Sequence, residues 1–153
     1  MSAIVELDVE LSGPGIEGLV DDITDKSAVQ ALVGILAGED PEILERAVKH
    51  EFGDRAGGIP ERSFIRGTMD KDHKEIVKDG DQFAEAMLLG KMTKRLALEA
   101  WGDKLTVKMK EGITTKSLDL AENAQSTIDQ KGSDTPLIDT GQMVNSINYE
   151  VTR

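Results

Sequence analysis

A chain of 153 residues is long enough for one ordinary core and short for two, so a single domain over residues 1–153 is expected. Hydrophobic residues make up 39% and charged residues 31%, and no run approaches the roughly 18 apolar residues of a membrane span, which points to a soluble protein. With no cysteine, thiol catalysis, disulfides and cysteine-bound zinc are excluded. The net charge of −11 argues against a nucleic-acid-binding surface, because phosphate contacts need clustered Lys and Arg.

The opening MSAIVELDVELSG alternates acids with aliphatic residues and does not read as a secretion leader, so the chain is expected to fold inside a cell. Val5, Leu7, Val9 and Leu11 alternate with Glu6, Asp8 and Glu10, the period of a strand with one buried face. Ile16, Leu19, Val20 and Ile23 then recur at helical spacing. The first 50 residues hold eleven acids and three bases, a net charge of −8 that reads first as a solvated surface and, more specifically, as one that repels DNA.

Residues 28–36, rich in aliphatic side chains and too short for a helix, are expected to form a buried strand. Asp40 before Pro41 is a cap followed by a first-turn proline, and Ile43, Leu44 and Val48 give that helix an apolar side up to Gly53. Gly53 to Pro60 holds three glycines and reads as a loop. Ile65, Met69, Ile76 and Val77 mark a second helix, expected to end near Asp79-Gly80. A third would begin near Asp81, with Phe83, Met87, Met92, Leu96 and Trp101 on its apolar faces. Leu105, Val107 and Met109 fit a strand or a continued helix, and the absence of a strong turn signal favours the helix. One more short helix and a polar loop follow, and Ile147, Tyr149 and Val151 close the chain as a strand. The expected fold is α+β: a small mixed sheet formed by N-terminal, C-terminal and central strands, packed against several helices.

Candidate chemistry is sparse. Leu137-Ile138-Asp139-Thr140-Gly141 reads like the active strand of an aspartic protease, yet only twelve residues follow Gly141, too few to complete that fold. Asp139 or Thr140 serves better as the cap of a short helix, with Gly141 in its first turn. Asp70 to Asp81 is acidic enough to suggest a calcium loop, but Glu75 stands where that loop needs glycine and Asp81 where it needs glutamate. Lys71, Lys74 and Lys78 interleave with these acids as an exposed, charge-balanced helix face. His73 with Asp70 or Asp72 is the one conceivable metal set, set against a simpler reading of His73 as a boundary packing residue. No Ser-His-Asp set or phosphate-binding glycine pattern is legible, and five aromatic residues are few for stacking nucleobases. A non-catalytic protein without metal or cofactor is expected.

Two stretches carry a family likeness: HEFGDRAGGIPERSFIR, His50 to Arg66, and KGSDTPLIDTGQMVNSINYEV, Lys131 to Val151. In this order, roughly seventy residues apart, they resemble the tail-completion or head-tail joining proteins of long-tailed bacteriophages. Phe52, Gly53, Pro60, Arg62, Phe64 and Arg66 match the first motif of that family, and Pro136, Leu137, Asp139, Thr140, Gly141 and Ser146 match the second. Ser63 stands where the family commonly has proline, so a hydroxyl cap is expected there in place of a fixed first-turn φ.

The resemblance implies a virion structural protein in a neck or tail-completion ring, made in the host cytoplasm. Its implied partners are further copies of the chain and other connector and tail proteins, with DNA passing nearby unbound and no membrane contact. The glycine-rich loop 53–60 and the acidic N-terminal region are the candidate ring surfaces, since a heterologous ring needs two different complementary faces. An acidic channel wall would keep DNA from adhering as it passes. The competing readings are a small hydrolase using Asp139, or His73 with a metal, and a soluble binding module of the host.

Overall fold

The computed structural model describes residues 29–36, 38, 40–132, 134, 137 and 141–152. The order is β1 (Gln30–Ile35), α1 (Pro41–Phe52), α2 (Phe64–Lys71), α3 (His73–Leu88), α4 (Lys94–Thr114), α5 (Gln125–Lys131), α6 (Gln142–Asn145) and β2 (Ile147–Thr152).

The expected three-stranded mixed sheet is corrected here. Among the described residues the sheet has two strands, β1 and β2, antiparallel, with Ala31 opposite Val151, Val33 opposite Tyr149 and Ile35 opposite Ile147. A short aliphatic run marks the first of these strands and alternation the second, but neither signal names a strand's neighbour or its direction. The strand at 28–36 and the closing strand pair directly, and among the described residues they are the whole sheet. The strand expected at 5–11 and the helix at 16–23 lie outside the described residues.

Helix α4 is the spine. It packs against both strands and against α2, α3 and α6. Ala97, Leu98, Trp101, Leu105, Met109 and Ile113 all point inward from it, so Leu105 and Met109 belong to a helix, as expected. The same core takes in Val33 from β1, Phe64 and Ile65 from α2, Ile76 from α3, Met143 and Val144 from α6, and Ile147 from β2. Two glycines let the layers close. A Cβ on Gly102 would sit 2.9 Å from Tyr149 of β2, and one on Gly80 would sit 2.8 Å from the Trp101 ring.

Gly80 also explains why two helix boundaries differ from expectation. Its place after Asp79 predicts a stop, yet α3 runs through it from His73 to Leu88. The residue admits Trp101 at close range, and its neighbour Asp79 is buried against Lys104 at 2.7 Å. The true stop is Gly90, at φ +67, where Lys91 N–H bonds the Ala86 carbonyl across the helix end. The next helix is capped by Thr93, whose Oγ1 accepts from Leu96 N at 3.2 Å, so it starts at Lys94 and not near Asp81. A further break at Asp72 separates α2 from α3.

Among the described residues, no helix is long and apolar enough to cross a membrane.

Candidate functional site

The first motif occupies the junction between α1 and α2. Asp40 caps α1 as expected, accepting from Glu42 N at 2.9 Å, and Pro41 opens its first turn. At the other end the chain leaves α1 through Gly53, at φ +75. A Cβ there would lie 3.1 Å from Glu61 N and 3.3 Å from the Ile59 carbonyl oxygen, so backbone fills the space a side chain would need. The loop is a closed miniature hairpin. Asp54 and Ile59 exchange backbone hydrogen bonds at 2.9 and 2.8 Å, and the Asp54 carboxylate accepts from Gly57 N at 3.1 Å. Pro60 is exposed just beyond it. Arg62 N–H then bonds the His50 carbonyl at 2.6 Å, returning the chain to the end of α1.

Glu51 and Arg66 join the two helices reciprocally. The Glu51 side chain, almost wholly buried, accepts from Ile65 N at 2.9 Å, Arg66 N at 3.1 Å, Arg66 Nε at 3.0 Å and Ser63 Oγ at 3.0 Å. It places a carboxylate on the N-terminus of α2, where the free N–H groups and the helix dipole favour an anion. Arg66 reaches back to the C-terminus of α1, donating from Nη2 to the Glu51 carbonyl at 2.7 Å and to Glu61 at 2.9 Å. That end of a helix favours a cation. Hydrogen bonding to Glu51, with further help from Glu61, raises the Arg66 pKa above its ordinary value against a smaller effect of burial. Its guanidinium also lies 4.8 Å from the centre of the Phe52 ring, which is about half exposed.

Ser63 therefore departs from expectation. It stands at the N-cap of α2, but its hydroxyl makes no cap bond and instead donates to Glu51, which does the capping. This carboxylate accepts from four donors. Three of them converge on Oε1 and Ile65 N alone reaches Oε2, so both oxygens tie the end of α1 to the start of α2.

Arg62, 6% exposed, ties this junction to the irregular segment between α4 and α5. Its Nε donates to the Ala121 carbonyl at 2.7 Å and its Nη2 to the Glu122 carbonyl at 2.8 Å, with Asn123 Oδ1 at 3.4 Å. Its Nη1 lies 3.4 Å from His50 Nδ1. Arginine only donates, so Nδ1 is the acceptor side of that contact. Burial pushes the Arg62 pKa below its ordinary value, though a guanidinium stays protonated throughout the working range. Phe64, fully buried between these two arginines in sequence, anchors the junction in the core.

The second motif is less fully placed. Pro136, Asp139 and Thr140 lie outside the described residues. Leu137 is buried at φ +64, an uncommon conformation for a branched side chain. Gly141 occupies the N-cap of α6 at φ +78 with no side-chain cap bond, one position outside the turn to which it was assigned. Ser146 is the C-cap. Between them α6 buries Met143 and Val144 and touches α1, so the two motifs meet through the α1–α6 contact and a shared core.

His73 is exposed at the start of α3, where boundary packing was expected. Among the described residues, no group of three or more His, Asp or Glu side chains could hold a metal ion.

Reasoning from sequence assigned no role to Glu51, although a signal for it exists. Ile43, Ala47 and Glu51 are spaced by four along one side of α1, so an acid continues the buried stripe. A buried acid at a helix end next to a second helix start is a capping candidate.

Comparison with protein-family models, with curated proteins and with solved structures returned no match to this chain.

Proposed function

We propose that the chain is a non-enzymatic bacteriophage virion protein, a subunit of the neck or tail-completion ring that joins head to tail. The observation that carries this reading is the role of the first motif's residues. Gly53, Arg62, Phe64 and Arg66 are consumed in holding α1, α2 and the segment at 121–123 together. What the junction leaves outside is Phe52, Val48 and the closed loop at 54–59. A motif whose polar groups bond one another and the backbone, and which displays an aromatic ring beside a rigid loop, suits attachment to a partner better than chemistry.

Ring formation needs a second, different surface, and the acidic N-terminal region is the proposed one. Further copies of the chain, other connector proteins and tail proteins are the proposed partners. DNA passes close by without being bound.

Deleting the gene from the phage genome that encodes the chain tests this. The expected result is accumulation of heads and tails that do not join, rescued by the wild-type chain and not by folded F52D. Normal yields of complete particles without the chain would overturn it.

A further inference from the structure

The outward face of α3 carries two like-charged pairs in succession. Lys74 and Lys78 are four residues apart, as are Asp81 and Glu85, and all four side chains are exposed. Residues at this spacing are surface neighbours, and like charges there disfavour an isolated helix. The order is also the reverse of what the helix dipole prefers, since Lys74 lies in the first turn and Glu85 in the last.

The inner acids of the same helix cannot relieve this. Glu75 is paired with Lys108 of α4 at 2.8 Å, and Asp79 with Lys104 at 2.7 Å. Among the described residues Lys74, Lys78, Asp81 and Glu85 have no ion pair. The outer face is therefore cationic in its first half and anionic in its second, which makes it complementary to itself when reversed.

We propose that this face is a contact between two copies of the chain, with the two α3 helices antiparallel across a two-fold axis between Asp79 and Gly80. In that register Lys74 of one copy meets the partner's Glu85, and Lys78 meets the partner's Asp81. Symmetry repeats both pairs. The match holds along the helix because each like-charged pair spans the same distance, about 6 Å at 1.5 Å per residue. Val77, 46% exposed beside Lys74 and Lys78, lies opposite the partner's Gln82 in the same register. An isologous contact of this kind closes at two copies, so it differs from a head-to-tail ring contact and does not depend on the virion role.

Sedimentation of the full chain over a range of concentrations, at low and at high salt, tests the proposal. A monomer–dimer equilibrium that weakens with salt is expected. K74E/K78E and D81K/E85K should each weaken it by about tenfold or more, because each makes the face single-signed. An equimolar mixture of the two variants should form heterodimers, and K74E/K78E/D81K/E85K should again pair with itself. Should a charge reversal impair folding by circular dichroism, K74Q/K78Q gives the same expected weakening without new acids. A wild-type chain that stays monomeric at every concentration in low salt would overturn the proposal. So would a dimer that charge removal leaves unchanged, or a swap that restores nothing.

Discussion

The Glu51 carboxylate, at the end of α1, closes the start of α2 by accepting the backbone N–H groups of Ile65 at 2.9 Å and Arg66 at 3.1 Å. Neither donor has a partner within its own helix at that position, and the bond from Ile65 is buried. Hydrogen bonds to a charged group contribute about 1.5–3 kcal/mol, and stranded buried donors cost a further amount of similar size. Glu51→Ala should therefore lower stability by about 3 kcal/mol in urea unfolding. Glu51→Gln keeps the shape and one acceptor oxygen, and should cost about half as much.

Arg62 spans two adjacent carbonyls with two different nitrogens, at 2.7 and 2.8 Å. A lysine ammonium is a point donor and cannot hold that fork. Arg62→Lys should cost about 2 kcal/mol, the order of one charge-assisted bond lost from a buried site. Amide exchange should localise the effect: Ala121 to Asn123 should lose protection while the centre of α4 keeps it.

Two glycine substitutions should have opposite signs. Within a helix, Gly to Ala is worth about 0.5–1 kcal/mol of stabilisation. At Gly67 of α2 the new Cβ would meet only Leu118 Cδ2 at 3.7 Å, an ordinary contact, so Gly67→Ala should stabilise by about that amount. At Gly80 the Cβ would stand 2.8 Å from Trp101 Cζ2 and 3.0 Å from Cη2. Overpacking of that kind costs about 1–3 kcal/mol, which outweighs the helical gain. Gly80→Ala should destabilise the protein and shift the emission of Trp101, the only tryptophan in the chain.

Burial acts to lower the Lys108 pKa, but the hydrogen bond and charge of Glu75, with Asp72 and Asp79 nearby, outweigh it and hold the value above the ordinary 10.5. A folded-state value above the unfolded one stabilises the protein fully below pH 10.5, and the contribution fades as the pH rises through the raised value. Lys108→Met should lower stability near neutrality and leave a smaller difference from wild type in strongly alkaline solution. Because Glu75 is exposed, the neutral-pH effect should stay within about 1 kcal/mol.

The elements were legible in the sequence where a local signal has a single meaning. Asp40-Pro41 marks a helix start whatever lies around it, and the spacing from Trp101 through Leu105 to Met109 fixed the long helix. Glycine has no such single meaning. Gly80 and Gly90 look alike in sequence, yet one admits a tryptophan in mid-helix and the other takes the left-handed end of the same helix. Sheet order was illegible for a related reason, since an aliphatic run in β1 and an alternating one in β2 each mark a strand and neither states its neighbour. The junction at α1 and α2 was located through Phe52, Gly53, Arg62 and Arg66. Its centre, Glu51, is marked in sequence only as an acid on the buried stripe of α1, and nothing local names the N–H it accepts, fourteen residues on.

Electron cryomicroscopy of particles assembled from the genome that encodes this chain tests the proposed role most directly. The expected image has a ring of copies at the head–tail joint, with Phe52 and the loop at 54–59 against a neighbouring subunit. A joint complete without density for the chain would contradict the role, as would a ring in which Phe52 faces solvent in every copy.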